Sequence, residues 1–552
     1  MGPFRAVPEK LPAKPQGEAA LLVYLGQGID FALNCRVRAL ARRLTERPLP
    51  GVREVLAAYH CLQVQFDPLL TDHKEMASWV RSEHRLMPRG KAQAGRRVEL
   101  PVVYGGEAGP DLDYVAQRTG LAPAEVIRRH GAVDHPCYVM GFTPGFPYLG
   151  GLDPSLAVPR MDSPRLDNPP GSVALAGGQT GVYPLGGPGG WWVIGRTPWL
   201  MYDPRRDPAT LMEAGDLVRF VPSGETRFPD PPPLSLGWEA KGVEVLEVLA
   251  PGAFTTVQDA GRWGHQFRGV PVSGAYDQAA LAWANLLVGN DPGDASLEIT
   301  LMGPRLKALR PVVIAVTGCD LGLTIDGKTA PTHQALALMP GQVLGFRGPR
   351  RGGARAMLAL AGGVANERLL GSRSTYLLGR MGAPLRKGDV VRSAPAPLPP
   401  AGAAFPALEE PGRVLTLRVV PGPNQEYFSP QGLETFYSAQ YELTAQADRR
   451  GARLEGPALS FAPGSPASLV SEPNTPGVIQ VPSGGQPIVM LREQTVGGYP
   501  KIGTVFGPDL DRLARGQSGQ AIRFTAMSAE EAVAEARRLD RAFQAARERT
   551  AD

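Results

Sequence analysis

The sequence has few residues of the kind that form disulfides or bind metals. Its 552 residues include four cysteines, without a C-x-x-C pair and without a histidine at ligand spacing from another cysteine or histidine. A disulfide framework and a metal site are therefore not expected. No stretch approaches the roughly 18 apolar residues that a membrane span needs, and the first residues contain no apolar signal segment. We expect a cytoplasmic protein that makes no membrane contact.

An excess of charge of one sign is also missing. Lys and Arg number 58 against 53 Asp and Glu, and the basic residues are scattered, so a nucleic-acid surface is not predicted. Glycine and proline are abundant instead, because 67 Gly and 56 Pro make up about 22% of the chain, against roughly 12% on average. With 43% hydrophobic residues, this composition predicts a folded, β-rich protein with many turns, and the length predicts about three to five domains.

Helices are predicted at a few places between the turns. Residues 111–130 indicate two short helices separated at Pro123. Asp277 is a candidate N-cap for an amphipathic helix, and Ser528 with Glu531 three residues later forms a capping box at the start of the last helix. The elements around them are expected to be strands.

A literal nucleotide-binding loop pattern runs from Gly322 to Thr329. Such a loop needs flexible residues that wrap phosphates and a helix directly after it. Here the intervening residues alternate as in a strand, Asp326 and Gly327 are a hairpin signal, and Pro331 follows. The pattern therefore predicts a hairpin and not a nucleotide site.

Two glycine-rich stretches are the first candidates for a functional site. GFTPGFPYLGG, residues 141–151, contains Phe142, Gly145 and Phe146; it is either a loop that presents backbone N–H groups to an anion or a rigid turn whose aromatic rings pack in the core. Residues 257–278 combine acidic and basic groups with glycines, which favours a site. Its candidates are Gln258, Asp259, Arg262 and Asp277, and the alternative is an Asp259–Arg262 ion pair that holds a loop.

Three further motifs contain a cation beside small residues, which suits binding of phosphate or carboxylate. They are GSRST with Arg373 and Ser374, DRRGARLEG with Arg453, and EQTVGGYPKIG with Lys501. Each cation alone is more often part of a surface ion pair. His130 is a candidate general base, although a histidine at a helix end is more often a cap or a buried core residue.

The stretch QTGVYP (179–184) resembles QTVGGYP (494–500), and LMGPRL (301–306) resembles LEGPAL (454–459). This weak repeat predicts duplicated β-barrel or sandwich units. The first pair adds four candidate binding residues: Gln179, Tyr183, Gln494 and Tyr499.

Long motifs in both parts of the chain resemble known families. GFTPGFPYLGGL and PPGSVALAGGQTGVYPLGGPGGWWVIGRTP resemble the family of the 5-oxoprolinase B subunit, also called Kip-type kinase inhibitor or allophanate hydrolase subunit 1. GAFTTVQDAGRWGHQ, GSRSTYLLG and QTVGGYPKIG resemble the family of the 5-oxoprolinase C subunit, or allophanate hydrolase subunit 2. The chain departs from these families at His135, where a tyrosine is usual, and at Leu491–Thr495, where Glu493 is the nearest substitute for the usual acid.

The resemblance implies a fusion of B and C, with a mainly β, α+β fold of cyclophilin-like β-barrels behind a small α/β domain. The implied organisation, in order along the chain, is a flexible tail (1–19), the small α/β domain (20–100), the barrel of the B half (101–222), a linker (223–243), the first barrel of the C half (244–395), a second linker (396–412), the second barrel of the C half (413–527) and a C-terminal helix (528–552).

The implied activity is ATP-dependent opening of 5-oxoproline to glutamate together with a separate A subunit. ATP with Mg²⁺ is the implied cofactor, and His130, Asp259 and Asp277 are the candidate catalytic residues. One alternative is biotin-dependent carboxyl transfer related to urea carboxylase, although the chain has no Met-Lys dipeptide to carry biotin. Another is a binding module that inhibits a histidine kinase. The expected partners are accordingly the A subunit, a histidine kinase and a second copy of the chain.

Overall fold

The computed structural model describes residues 11–87, 95–350, 352–466 and 468–551. The chain is mostly strands with few helices, and two groups of seven strands close into barrels. The predicted fold class is therefore confirmed. Among the described residues no helix combines the length and apolar character that crossing a bilayer requires.

The first unit is a four-stranded sheet covered by two helices. Residues 1–10 of the predicted tail lie outside the described residues, but residues 11–19 are part of this unit, because Ala13–Pro15 pairs with residues 21–23. The strands lie in the order β1-β2-β4-β3. The elements are β1 (Ala13–Pro15), β2 (Ala20–Tyr24), α1 (Phe31–Glu46), β3 (Val52–Ala57), β4 (Cys61–Phe66) and α2 (His73–Arg85).

The second unit is the first closed barrel. Its first and last strands, β5 and β13, run parallel to each other, and the remaining barrel contacts are antiparallel. The elements are β5 (Arg97–Tyr104), α3 (Leu112–Thr119), α4 (Pro123–Gly131), β6 (His135–Met140), β7 (Pro147–Leu149), β8 (Arg165–Asn168), β9 (Ser172–Ala176), β10 (Gln179–Val182), β11 (Gly187–Gly189), β12 (Trp192–Arg196) and β13 (Leu217–Pro222).

The third unit was predicted as a barrel, but its strands form one six-stranded and one five-stranded sheet. Residues of both sheets share a single apolar core, so the sheets pack as a sandwich. The elements are β14 (Val243–Ala250), β15 (Phe254–Gln258), α5 (Gln278–Leu287), β16 (Ser296–Thr300), β17 (Arg305–Ala308), β18 (Val312–Gly318), β19 (Leu323–Ile325), β20 (Lys328–Thr329), β21 (Ala335–Leu338), β22 (Val343–Phe346), β23 (Arg355–Leu360) and β24 (Val390–Ser393).

The fourth unit is the second closed barrel, which is followed by the last helix. Its strand order around the barrel repeats that of the first barrel position by position, including the parallel contact of the first and last strands, β25 and β33. The predicted duplication is thus confirmed. The elements are β25 (Val414–Pro421), α6 (Pro430–Ser438), β26 (Tyr441–Leu443), β27 (Gly451–Glu455), β28 (Glu472–Pro473), β29 (Val478–Gln480), β30 (Ile488–Met490), β31 (Val496–Gly497), β32 (Lys501–Val505), α7 (Gly507–Arg515), β33 (Ala521–Ala526) and α8 (Ala529–Ala551).

Local sequence signals set several of these boundaries. The Asp277 side chain accepts a hydrogen bond from the N–H of Ala280 and caps α5. Ser528 and Glu531 bond to each other's backbone N–H groups, which completes the predicted capping box of α8. Asp326 and Gly327 both have positive φ angles and join β19 to β20, so the predicted hairpin is confirmed.

The first sheet has two faces with different partners. Alternate residues of β4 on one side, Leu62, Val64 and Phe66, pack with helices α1 and α2. The other side carries Gln63 and Gln65, which are nevertheless buried. It is covered by the C half of the chain, so polar groups of this face find their partners there.

A row of amides and one carboxylate crosses this interface. Gln266 donates to Gln65 over 3.1 Å, and Gln65 donates to Gln63 over 2.7 Å. The carboxylate of Glu54 accepts from the N–H of Gly264 at 3.1 Å and from that of Gln266 at 2.8 Å. The B and C halves are therefore joined by buried hydrogen bonds in addition to apolar contact.

Glu18 adds a titratable contact to the same interface, which leads to a prediction. Its Oε1 accepts from the N–H of Gly507 at 3.1 Å, and burial raises its pKa from 4.5 to about 7. A carboxyl whose pKa is raised on folding makes its full contribution to stability at pH values below its pKa in the unfolded chain. This contribution is lost as the pH rises through the pKa of the carboxyl in the folded protein. Glu18→Gln should therefore remove a loss of stability between pH 4.5 and about 7.

Thermal unfolding of the full chain across this pH range measures the effect. Glu46→Gln is the control, because Glu46 is exposed on α1 and pairs with Arg42. The wild type and the control should lose stability relative to Glu18→Gln as pH rises. Parallel pH profiles for all three proteins would contradict the assignment.

Candidate functional site

Loops from both halves of the chain meet at one place, which we call the junction. Gly145 donates its N–H to the carbonyl of Arg268 at 2.9 Å, and Ser273 donates to that of Arg492 at 2.9 Å. A Cβ on Gly141 would lie 2.4 Å from the side chain of Val496, so the two loops are in close contact. The junction comprises residues 141–145, 259–274, 369–376 and 492–497.

Arg262 is the buried cation of the junction. It is 1% exposed, and its guanidinium donates from Nε to the carbonyl of Leu369 at 3.0 Å and from Nη2 to that of Ser374 at 2.9 Å. Its Nη1 is buried without a hydrogen-bond partner. Burial lowers the pKa of this guanidinium. A buried cation with a free donor is placed to bind an anion.

Other polar atoms of the junction are also buried without partners. Buried polar groups are normally hydrogen-bonded, and a group of exceptions needs an explanation. A polar ligand or ordered water that accepts and donates hydrogen bonds would satisfy them. These atoms are Thr143 Oγ1, His265 Nδ1, Arg268 Nε, Ser273 Oγ, Thr375 Oγ1, and both Oε1 and Nε2 of Gln494.

A second, half-buried arginine supports the junction from the side of the second barrel. Arg449 lies 2.6 Å from Glu298 and 2.5 Å from Glu493. Burial raises the pKa of Glu493, and the charge of Arg449 opposes that shift. The acid that the sequence offered at position 493 is therefore already paired. Arg453 of the same motif lies exposed on β27, so the cation of this motif that is paired with the buried acids is the half-buried Arg449.

Asp259 organises the loop that carries GSRST. Its carboxylate accepts from the hydroxyls of Ser372 at 2.7 Å and Ser374 at 2.5 Å, and from the N–H of Arg373 at 2.7 Å. Gln258, next to it, donates to the carbonyl of Thr375 at 3.2 Å. The alternative of a direct Asp259–Arg262 ion pair is therefore not what the structure has: Asp259 holds the loop, and the carbonyl of Ser374 in that loop accepts from Arg262.

Asp277 lies at another contact between the third and fourth units. Besides capping α5, it accepts from Arg515 at 2.6 Å. Asp511 accepts from the N–H of Gln278 at 2.9 Å, and burial raises the Asp511 pKa to about 7. Both carboxylates thus stabilise the start of α5. The catalytic roles predicted for Asp259 and Asp277 stay predictions. The contacts of the two carboxylates hold a loop and the start of a helix in place.

His130 lies inside the first barrel. Its Nδ1 is 2.8 Å from the Tyr104 hydroxyl, its Nε2 is 2.9 Å from that of Thr180, and its ring stacks on Phe220 at 4.3 Å. Burial lowers its pKa well below the usual value. In the second barrel Phe436 stacks in the same way on Phe524 at 4.6 Å. This correspondence favours a packing role, and catalysis by His130 stays a prediction.

His135, where a tyrosine was expected, occupies the position that Tyr441 has in the second barrel. His135 pairs with Val218 and Tyr441 with Ile522, at matching places of the closing strands. Both nitrogens of the His135 ring lie near carbonyl oxygens, at 3.0 Å from Gly150 and 2.9 Å from His130. A neutral ring can donate to only one of them.

A row of aromatic rings leads from the junction across the first barrel. Phe142 is 51% exposed and has a φ of 70°, a strained conformation for a large side chain. Its ring centroid is 5.6 Å from that of Phe146, which contacts Tyr148 at 4.9 Å and Tyr183 at 5.3 Å. The first stretch is therefore both a packed turn and an exposed loop, since Phe146 is buried and Phe142 is not.

The row ends at a groove of about 500 Å³ between the α/β domain and the first barrel. Gln179 lines this groove and donates to the Tyr59 hydroxyl at 2.8 Å. The hairpin at the same place in the second barrel repeats Gly-Gly-Gln, and Gln486 bonds there to the backbone of Gly456 at both ends of its amide. The residues that line the groove are Ile29, Tyr138, Gly150, Gly151, Pro159, Arg160, Ala176, Gly177, Gly178 and Gln179.

The structural equivalent of Gln179 is thus Gln486 and not Gln494, which sequence similarity had paired with it. Lys501 is fully buried and contacts Glu472 at 2.5 Å. It lies on the interface with the α/β domain, where Tyr499 is 41% exposed. Lys501 and Tyr499 both lie outside the junction, and their predicted binding roles stay predictions.

Sequence reasoning missed two tyrosines that pack around Arg262. Tyr202 and Tyr376 are buried in one apolar cluster with Leu369, and Tyr202 donates to the carbonyl of Gly379 at 3.2 Å. Burial raises the pKa of both phenols. Tyr202 lies outside the glycine-rich motifs used above. Tyr376 directly follows GSRST, but only the cation and the serine of that motif were taken as candidates.

Comparison with known proteins agrees with the division into two halves. Residues 11–212 match the family model "Carboxyltransferase domain, subdomain C and D", and residues 268–526 match "Carboxyltransferase domain, subdomain A and B". The N-terminal part is 40% identical over 223 residues to the 5-oxoprolinase B subunit of Bacillus subtilis, covering 38% of this chain and 92% of that protein. The C-terminal part is 36% identical over 299 residues to the 5-oxoprolinase C subunit of Escherichia coli, covering 52% and 93%.

A solved structure resembles both halves together. The crystal structure of TTHA0988 is 36% identical and superimposes with a TM-score of 0.84 over 92% of this chain and 99% of that chain. A likeness that spans both halves indicates a shared overall arrangement of the four units.

The free donor of Arg262 leads to a prediction for anion binding. A small carboxylate such as acetate should raise the melting temperature of the wild type, because a ligand of the folded state stabilises it by about 2.7 kcal/mol at roughly 100 times its Kd. Arg262→Gln removes the cation and should abolish this rise. Arg453→Gln, which changes an exposed arginine, should leave it intact. An equal rise in all three proteins would contradict a site at Arg262.

Proposed function

The chain belongs to the carboxyltransferase-domain family that includes the B and C subunits of 5-oxoprolinase, and we propose that it is the fused B–C component of a 5-oxoprolinase. In this proposal it acts with a separate A subunit and uses ATP to convert 5-oxoproline and water to glutamate, ADP and phosphate. The observation that carries the proposal is the junction, where the loop of residues 141–145 from the B half contacts Arg268 and Val496 of the C half, and where Arg262 belongs to the same C-half loop as Arg268.

The unpartnered groups of the junction complement the proposed substrate. 5-Oxoproline carries a carboxylate and a lactam amide on one small ring. Arg262 Nη1 would donate to the carboxylate, and Gln494, whose amide has a free donor and a free acceptor, would bond to the lactam C=O and N–H. Residues such as Ser273 and Thr143 would complete the contacts, so recognition needs both halves.

The reaction has to overcome the stability of a five-membered lactam. The γ-phosphoryl group of ATP is transferred to the amide oxygen, which releases ADP and activates the lactam carbon. One water adds to this carbon and the C–N bond breaks, so that the nitrogen leaves as the protonated amine and an acyl phosphate remains. A second water hydrolyses the acyl phosphate to the carboxylate of glutamate and free phosphate. In this scheme the role of the chain is to hold the lactam in place and exclude bulk water. Arg262 and Gln494 are the proposed binding residues.

ATP and Mg²⁺ do not fit the carboxylates that the sequence offered. The oxygens of Asp259 already accept from two hydroxyls and from backbone N–H groups, and those of Asp277 accept from Arg515 and Ala280. The P-loop-like pattern at Gly322 is a hairpin. We therefore propose that the A subunit supplies the nucleotide site.

A reconstitution experiment tests the function. The full chain, an A-type 5-oxoprolinase subunit, ATP and 5-oxoproline should release glutamate and ADP in equal amounts, and omission of either protein should stop both. Arg262→Gln should lower kcat/KM for 5-oxoproline about 10- to 100-fold, as expected for a lost charged hydrogen bond. Arg453→Gln should retain the wild-type rate.

The outcomes separate the proposed function from its alternative. Absence of both glutamate and ADP with an A subunit that is active with its own partners would refute the proposal. Carboxyl transfer to or from a biotin carrier in the same mixture would instead support a carboxyltransferase, the activity named by the family model. If Arg262→Gln kept the wild-type rate, the proposed reaction would stand, but the proposed substrate site at Arg262 would be refuted.

A further inference from the structure

A second group of buried reactive side chains lies away from the junction, where the α/β domain meets the second barrel. It consists of His60 and Cys61 at the start of β4 and Glu472 in β28. They are 7%, 0% and 3% exposed. The sequence predicted no metal site, because Glu472 is more than 400 positions away from its two neighbours.

The three side chains converge on one point. One potential ligand atom from each, an imidazole nitrogen, the thiol sulfur and a carboxylate oxygen, lie within 4.8 Å of one another. His60 Nε2 is 3.6 Å from Glu472 Oε1. Small rotations of these side chains would bring all three atoms to bonding distance of a common ion.

His60 gives an independent indication of a missing ligand. Its Nδ1 is buried without a hydrogen-bond partner, and its Nε2 lies beyond hydrogen-bond distance from Glu472. Its ring stacks on Tyr24 at 6.0 Å, which holds its orientation. A buried ring nitrogen without a partner is costly, and a metal ion bound to it would satisfy it.

We propose that His60, Cys61 and Glu472 bind a Zn²⁺ ion that joins the two halves of the chain. The donor set of one nitrogen, one sulfur and one oxygen suits this ion, and a water molecule would complete four-coordination. The ligands come from the first sheet and from the second barrel, so the ion would tie the B half to the C half.

The surrounding charges are compatible with this ion. Glu472 Oε2 is 2.5 Å from Lys501 Nζ and 3.4 Å from the Tyr24 hydroxyl, which leaves Oε1 for the metal.

The test measures the metal content of the full chain. Protein produced in zinc-supplemented medium and washed with a chelator should retain about one Zn²⁺ per chain by elemental mass spectrometry. Replacement by Co²⁺ should give a thiolate-to-metal charge-transfer band in the near ultraviolet. Cys61→Ala should lose both signals. Cys137→Ala is the matched control, since Cys137 is equally buried on β6, and it should keep both.

A second variant covers the case in which Cys61→Ala does not fold. His60→Gln keeps the size of the side chain and should lower zinc content in the same way. Retention of a full equivalent of zinc by either folded variant would overturn the proposal. So would a wild-type protein that holds no zinc and gives no cobalt band. Because neither readout depends on 5-oxoproline, the result is independent of the proposed activity.

Discussion

The need to pair buried polar groups holds this molecule together. The outer face of the first sheet is polar, and its carboxylate and amides are satisfied by the C half. Glu54 accepts N–H groups of residues 264 and 266, and Gln65 accepts from Gln266. Separating the halves would leave these groups unbonded or return them to water, so the interface depends on complementary hydrogen bonds as well as on apolar area. The same interface brings the junction loops together.

The parts of the fold that follow from local chemistry were predictable from the sequence. The cap at Asp277, the capping box at Ser528 and the hairpin at Asp326 depend on neighbouring residues, and each was confirmed. The third unit was predicted as a barrel, yet its strands form two sheets, since strand pairing depends on residues distant in sequence. Residues 11–19 were predicted to belong to the flexible tail, because their composition does not indicate the strand that Ala13–Pro15 forms beside β2.

The candidate site was predictable only in part for the same reason. Motif composition marked Arg262 and Gln494, and both lie in segments of the junction with buried polar atoms that have no partner. It could not show that the carboxylates of Asp259 and Asp277 would already accept from hydroxyl and guanidinium partners. Nor could it show that Arg449, and not Arg453, would pair with buried acids. The two barrels show how far one topology can diverge, since His130 and His135 occupy places filled by Phe436 and Tyr441 in the second copy.

The linker of residues 223–242 has a consequence for how the halves assemble. It connects them covalently through about 20 residues, so each half meets the other at an effective concentration set by the tether and not by the amount of protein in solution. An interface built on polar contacts need not have high intrinsic affinity under such tethering. Equal stoichiometry of the halves is then set by translation, and neither half has to search for the other in a crowded cell.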